Sequence, residues 1–381
     1  MYVIKDFVKR FTSHLLSILP QKYILFESAP DLSDSTKAVF DEMLRRGLNE
    51  KYKMVWLCSD PIRDYPVMQN IVYLPVGNTI TKRLHKLYYY SRAKASICCN
   101  RFVVPTNPNA ASFYIPHGIA VKVVSPYYHP PASIQYYIEA SEKAADLFVS
   151  QFNIPRENVV VLGYPRNDAF SLGPMELHTY FPQKDFRKVI VWYPTYRQHK
   201  RGLKTGSTHA LPIIWDERRA ALLNDYAKEN DILIVLKPHF AQDVRVIKEL
   251  HLSNLVFIDD SFFWENGITS YRFVGSCDAL LTDYSSIYYD YTLCDKPIGL
   301  IWEDYDEFAK TPGFVVDMEE AMKGAEKLYS FEDLLSFINA VSSGVDRLKK
   351  ERHEVRDLYH YSTDGKNTER VVDFIENKAM L

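Results

Sequence analysis

Glycine is scarce in this chain. Only 14 of its 381 residues are glycine, about half the ~7% average, and no two stand in a G-x-G arrangement. The dinucleotide fingerprint and the kinase glycine loop are therefore missing. So are G-x-x-x-x-G-K-[ST], G-x-S-x-G and H-E-x-x-H, which excludes the commonest phosphate-loop, serine-hydrolase and zinc-protease readings. Cysteine is also sparse. The five, at 58, 98, 99, 277 and 294, form no C-x-x-C pair, so neither a zinc site nor a disulfide framework is expected, and a reducing compartment fits. Net charge is small as well: 46 Lys and Arg against 48 Asp and Glu leave a formal −2. A dedicated duplex nucleic-acid binder would carry a basic excess.

Long apolar runs are absent too. Residues 1–19 place Ile4, Phe7, Val8, Phe11, Leu15, Ile18 and Leu19 at helical spacing, with Lys5, Lys9 and Arg10 on the other side. Charges interrupt the stretch, so it is not expected to span a bilayer or serve as a signal peptide. A basic amphipathic helix can lie in a membrane interface or pack on the protein's own surface. Both readings stay open here.

What is abundant is aromatic surface, with 27 Tyr and 21 Phe, and alternation of short β-rich runs with helical segments. Strands are expected at 23–28, 54–59, 71–76, 95–99, 112–116 and 159–162, with helices near 35–46, 80–92 and 141–152. After a loop-like stretch the pattern restarts at 188–192. It continues through 232–236, 255–258, 279–282 and 297–302, and helices dominate from about 331. Such alternation predicts βαβ units and parallel sheets. The expected organisation is an α/β chain with an amphipathic helix over 1–20, Rossmann-like lobes over 21–175 and 176–350, a helical segment over 351–381, and a cleft between the lobes. Each lobe is large enough to bury its own core.

In open parallel sheets, ligands bind beyond the carboxyl ends of strands. In the second lobe those ends read Tyr193-Pro194-Thr195-Tyr196-Arg197, Lys237-Pro238-His239, Asp259-Asp260 and Thr282-Asp283-Tyr284-Ser285-Ser286. Arg197 offers a planar fork to phosphate oxygens and Lys237 a point charge. Ser285 and Ser286 stand where a helix should begin, suited to an anion or to plain capping. Asp283 and Asp290 are expected to orient their loop and helix. In the first lobe, the strand near 112–116 ends in His117-Gly118, with Lys122 beyond. An imidazole with a pKa near ~6.5 suits general-base work, and a structural histidine is the alternative. Arg166, in Gly163-Tyr164-Pro165-Arg166-Asn167-Asp168, either faces the cleft or belongs to a turn locked by Gly and Pro. Tyr88-Tyr89-Tyr90 and Tyr136-Tyr137 suit either the border of a substrate groove or core packing. No carboxylate cluster has metal-ligand spacing.

This ordered set resembles the CDP-glycerol glycerophosphotransferase family, which builds teichoic acids and related phosphopolyol polymers. The resemblance extends through Tyr289-Asp290-Tyr291, Lys296-Pro297, Asp364-Gly365 and Arg370. It departs after His117-Gly118, where Ile119-Ala120-Val121 stand in place of a small residue and Pro before Lys122. The resemblance implies a twin-lobed glycosyltransferase-B architecture and a peripheral place on the cytoplasmic face of the membrane. It implies a CDP-activated polyol donor held mainly by the second lobe, and a lipid-linked acceptor. His117 would be the base and His239 a second essential histidine. Arg197, Lys237, Thr282, Ser285 and Ser286 would hold the donor pyrophosphate, with Thr195, Arg166, Asp283 and Lys122 in support. The implied reaction transfers glycerol phosphate from CDP-glycerol and releases CMP. Ribitol-phosphate or capsule phosphopolyol transfer, or a nucleotide-sugar glycosyltransferase, are the alternatives. No cofactor is expected beyond a loosely held Mg2+.

Overall fold

The computed structural model describes residues 20–59, 64–124, 129–195, 211–239, 244–311 and 313–381. The expected amphipathic helix at the N-terminus lies outside the described residues. The chain forms two compact units. One is drawn from the chain up to His117, from Pro126–Asp168 and from Asp364–Leu381, and the other from Gly118–Ser125 and Ala169–Thr363. This interleaving differs from the linear division expected near residue 175.

The first unit is built on seven strands: β1 (Tyr23–Glu27), β2 (Lys53–Cys58), β3 (Ile71–Pro75), β4 (Ala93–Cys98), β5 (Ala111–Tyr114), β6 (Tyr136–Glu139) and β7 (Val159–Val161). All pair in parallel in the order β3-β2-β1-β4-β5-β6-β7. The near-continuous apolar run of β1 is what a strand covered on both faces requires. Ile24, Leu25 and Phe26 are completely buried, each worth about 1.5–3 kcal/mol relative to exposure. Helix α1 (Asp34–Arg45) follows β1, α2 (Ile80–Ser91) follows β3, and α3 (Glu142–Phe152) starts at Ser141, whose side chain accepts from the Ala144 N–H.

Strand β6 was not expected from the sequence. It takes Tyr136 and Tyr137 into the sheet: Tyr137 is buried in the core, and Tyr136 packs against Phe113 and Phe374. Tyr90 is also a core residue. An acceptor groove lined by Tyr90, Tyr136 and Tyr137 is therefore not what these rings form.

The second unit repeats the plan. Its strands are β8 (Lys188–Trp192), β9 (Ile232–Leu236), β10 (Leu255–Phe257), β11 (Ala279–Thr282), β12 (Ile298–Ile301) and the unexpected short β13 (Glu326–Leu328). They pair in parallel in the order β10-β9-β8-β11-β12-β13. Helix α4 (Glu217–Glu229) begins at Asp216, which accepts from the Arg219 N–H at 2.8 Å. The short helix α5 (Ile287–Tyr291) follows β11, and α6 (Phe331–Ser343) opens on a Ser330–Asp333 capping box and ends at left-handed Gly344. Helix α7 (Lys349–Tyr359) carries Arg352, fully buried and bridged to Asp346 and Asp295. Among the described residues, no helix is long and apolar enough to cross a membrane.

In each unit the order reverses beside the first strand, between β1 and β4 and between β8 and β11. Ligands of doubly wound sheets bind at such points.

The C-terminal helix α8 (Asn367–Ala379) returns to the first unit because Asp168 receives it. That carboxylate accepts the N–H groups of Asn367 and Thr368 at 2.9 and 2.7 Å. Gly163, with φ of +85°, makes room beside it: a Cβ there would overlap the Asn367 amide and lie 2.5 Å from its Cγ. Gly163→Ala should therefore lower stability by about 1–3 kcal/mol through strain and overpacking. A urea titration checks this, and an unchanged midpoint would show that Asn367 yields freely.

Candidate active site

In the first unit, β5 runs through buried Ile115 and Pro116 and delivers His117 to the surface, its side chain 61% exposed. Asp34, the first residue of α1, lies beneath it with its side chain 4% exposed. The Asp34 Oδ2 is hydrogen bonded to His117 Nδ1. The other oxygen accepts from Arg166 Nη1 at 2.9 Å. Arg166 is buried, also reaches the Pro116 carbonyl, and lies over the Tyr164 ring. It therefore serves neither as a cleft-facing cation nor as a mere turn residue: it is the buried counter-charge of Asp34.

Burial by itself raises the Asp34 pKa, but the Arg166 and His117 charges and hydrogen bonds outweigh it and hold the carboxyl well below its usual range. An ionised Asp34 can only accept, so Nδ1 of His117 is the donor in their hydrogen bond. The edge of His117 that Asp34 does not hold is exposed. Asp34 holds a left-handed backbone, φ +60°, a conformation that Asp tolerates better than most residues and that clusters at functional sites. Sequence reading missed Asp34, since Ser33-Asp34-Ser35 reads as an ordinary helix start.

One layer further in, the Tyr164 hydroxyl donates to Glu139 Oε2 at 2.6 Å. Burial pushes the Glu139 carboxyl up to about 7, against the lowering effects of Tyr164, the Ala140 N–H and Arg166.

In the second unit, the β8–β11 reversal is cross-braced. Asp283, buried, accepts the Thr195 N–H at 2.8 Å and the Thr195 hydroxyl. The Thr282 hydroxyl donates to the Tyr193 carbonyl at 2.7 Å and the residue is fully buried. Asp283 orients its loop as expected. Thr282 does not fit the expected role of phosphate ligand, because its hydroxyl is committed to the backbone of the neighbouring strand end.

Lys237 follows β9 and pairs with Asp260 at 2.9 Å, a partner the sequence did not single out. His239 is exposed two residues on. Ser285 and Ser286 are half-buried before α5, and Ser286 makes no side-chain capping bond, so capping does not account for it. Gly118 lies against Ser286: a Cβ on Gly118 would fall 2.8 Å from Ser286 Cβ and overlap its hydroxyl. Lys122 pairs with Phe314 in a short antiparallel bridge. Asp290 accepts from the Tyr271 hydroxyl at 2.9 Å. Arg197 lies outside the described residues. Among the described residues, no group of three His, Cys, Asp or Glu is placed to hold a metal ion.

The raised Glu139 pKa has a signed consequence. Between its ordinary value of 4.5 and about 7 the folded protein binds this proton more tightly than the unfolded chain does. Its contribution to stability is then fully present below 4.5 and lost as pH rises through 7. Glu139→Gln should flatten that part of the stability–pH curve. Parallel slopes for variant and parent in denaturant titrations from acid to neutral pH would contradict the assignment.

Comparison with known proteins gives the family and the fold. The family described as CDP-Glycerol:Poly(glycerophosphate) glycerophosphotransferase matches residues 9–377. A teichoic acid ribitol-phosphate primase of Bacillus spizizenii is 24% identical over 255 residues, 65% of this chain and 60% of the relative. The chain thus spans about three-fifths of that protein's length. A teichoic acid glycerol-phosphate transferase of Staphylococcus aureus is 22% identical, covering 98% of this chain and 100% of the relative. Among solved structures, the wall teichoic acid polymerase TagF soaked with CDPG superposes with a TM-score of 0.73 at 20% identity, over 99% of this chain and 96% of the other. Its fold, of glycosyltransferase-B type, is the one found here. This chain belongs to the CDP-glycerol:poly(glycerophosphate) glycerophosphotransferase family.

Proposed function

We propose that this enzyme transfers glycerol phosphate from CDP-glycerol to a hydroxyl of a lipid-linked acceptor at the cytoplasmic face of the membrane, releasing CMP. The observation that carries the reading is the Asp34–His117 hydrogen bond with Arg166 behind it. The acceptor oxygen bonds to the β-phosphorus of the donor, and the bond from that phosphorus to the CMP oxygen breaks. His117 Nε2 takes the hydroxyl proton, and CMP leaves with the electron pair. A positioned base contributes roughly 10²–10⁴-fold. In such transfers positioning and charge stabilisation supply most of the remainder. Lys237, His239, Ser285, Ser286 and Arg197 are the proposed partners of the donor phosphates, with Thr195 and Asp283 shaping the loop. Lys122 is assigned to neither substrate. No resident cofactor is part of the proposal, and turnover in excess EDTA tests that element.

Support for the donor class comes from the family match and from relatives that include glycerol-phosphate and ribitol-phosphate enzymes. Glycerol is the donor proposed, with ribitol the second reading. Mass spectrometry of purified enzyme with CDP-glycerol, CDP-ribitol and a synthetic lipid-linked acceptor separates them. A product heavier by glycerol phosphate, with CMP released and both lost in His117→Ala, is the expected result. Ribitol phosphate addition would keep the chemistry and change the donor. Absence of CMP with either donor would end the reading.

Asp34→Asn should lower kcat by up to about 10⁴-fold, as a wrong imidazole tautomer does in other triads, with little change in donor KM. The same variant leaves Arg166 buried without its counter-charge, a loss of about 3–5 kcal/mol in stability. Asp34→Glu, which keeps the charge, should recover part of both. An Asp34→Asn enzyme that is folded and fully active would remove the orienting role.

A further inference from the structure

Strand β1 ends in Glu27, and β4, its neighbour across the reversal of the sheet, is followed by Cys99, Asn100 and Arg101. The Glu27 side chain is only 2% exposed. A carboxylate buried in that way is costly unless it is paired and hydrogen bonded. Glu27 is both. One oxygen accepts the backbone N–H groups of Asn100 and Arg101 at 3.2 and 2.9 Å, and the other accepts from Arg101 Nε at 3.0 Å. Asn100 Oδ1 accepts the Ala29 N–H at 2.8 Å, which ties the loop after β4 to the loop after β1.

The guanidinium held by this carboxylate is not itself buried. The Arg101 side chain is 47% exposed, and its Nη2 donates to the Ser59 hydroxyl, just beyond β2, at 2.5 Å. Ser59 is fixed in turn by Asp31, which accepts its N–H at 2.8 Å and the Tyr65 hydroxyl at 3.0 Å. Three strand ends therefore aim one planar fork. A guanidinium carries five N–H groups. Glu27 and Ser59 take one each, and the rest are left to a ligand.

The fork stands at the edge of the sheet that presents His117. Cys98 is the register partner of Glu27 on one side and of Tyr114 on the other, so Arg101 and His117 each lie three residues past that rung. The buried Cys99 links the two places: burial raises its thiol pKa, and so do the nearby charges of Asp34 and Glu27.

A rigid, half-exposed guanidinium beside the proposed base suits phosphate oxygens better than any neutral group. The proposed reaction supplies such a ligand on the acceptor side, because each transfer leaves a phosphodiester next to the new terminal hydroxyl. We propose that Arg101 binds the phosphodiester of an acceptor that already ends in a polyol phosphate, with Glu27 as its positioning residue, and so brings the terminal hydroxyl to His117. The inference rests on the proposed function. It requires an earlier phosphopolyol transfer to supply the acceptor.

The test uses two water-soluble acceptors with the same terminal glycerol, one linked through a phosphodiester and the other through a neutral ether. The parent should prefer the phosphodiester by about 10–100-fold in kcat/KM, the worth of a charge-assisted bidentate contact. Arg101→Gln should abolish that preference by raising KM for the phosphodiester acceptor, while kcat/KM for the ether moves far less. Arg101→Lys, which keeps the charge and loses the fork, should recover part of it. Because Arg101→Gln leaves Glu27 buried without its counter-charge, a Glu27→Gln, Arg101→Gln double variant is run beside it, and thermal melts check folding. An equal loss on both acceptors in a folded variant would overturn the proposal, as would a parent with no preference. If the parent transfers to neither acceptor, the functional reading fails, and calorimetric binding of the phosphodiester acceptor still decides this one. Binding weakened in Arg101→Gln by the same factor supports the site, and equal binding overturns it.

Discussion

The buried ion pair between Asp34 and Arg166 is the constraint on which the first unit's chemistry depends. A carboxylate with its side chain 4% exposed and a guanidinium 1% exposed would each carry a heavy desolvation penalty alone. Together they are tolerated, and the second oxygen of Asp34 then remains for His117. The pair thus favours the ionised form of Asp34 and fixes its position. It also joins three stretches of chain, the loop after β1, the end of β5 and the turn after β7, which converge at carboxyl-end loops of one parallel sheet.

The turn after β7 shows how much a short segment can do once packed. Gly163 admits Asn367, Tyr164 reaches Glu139, Arg166 reaches Asp34, and Asp168 receives the start of α8. Read as a string, Gly163-Tyr164-Pro165-Arg166-Asn167-Asp168 looks like a locked turn. In the fold each side chain serves a different neighbour. The second unit uses the same strand order for another purpose: Thr282 and Asp283 tie β11 to the loop after β8, so the strand ends around Lys237 and Ser286 are held by bonds within the protein. Equivalent reversals of the sheet therefore present an exposed histidine in one unit and basic and hydroxyl groups in the other.

Much of this was legible beforehand, and for identifiable reasons. Ile232–Leu236 and Ala279–Thr282 read as strands because both faces are covered and the apolar run is unbroken. His117 stood out because it ends such a run and precedes Gly118. β6 escaped notice because Tyr136-Tyr137-Ile138-Glu139 is only four residues long and its aromatics suit a groove as well as a sheet. β13 is shorter still and lies at the sheet edge. Arg166 was visible as a residue type, yet its role depended on a carboxylate more than a hundred positions away.

By itself, then, the sequence determined the alternation of strands and helices, the parallel α/β class, the family and the residue types gathered at the strand ends. These are local properties, set by the periodicity of apolar residues and by the few residues that terminate each run. Tertiary structure alone decided that Asp34 belongs to His117, that Thr282 braces where it was expected to bind, that Lys237 meets Asp260, and that α8 rejoins the first unit. Each of those depends on which distant segment a burial-driven fold brings within hydrogen-bond reach, and spacing along the chain carries no record of that.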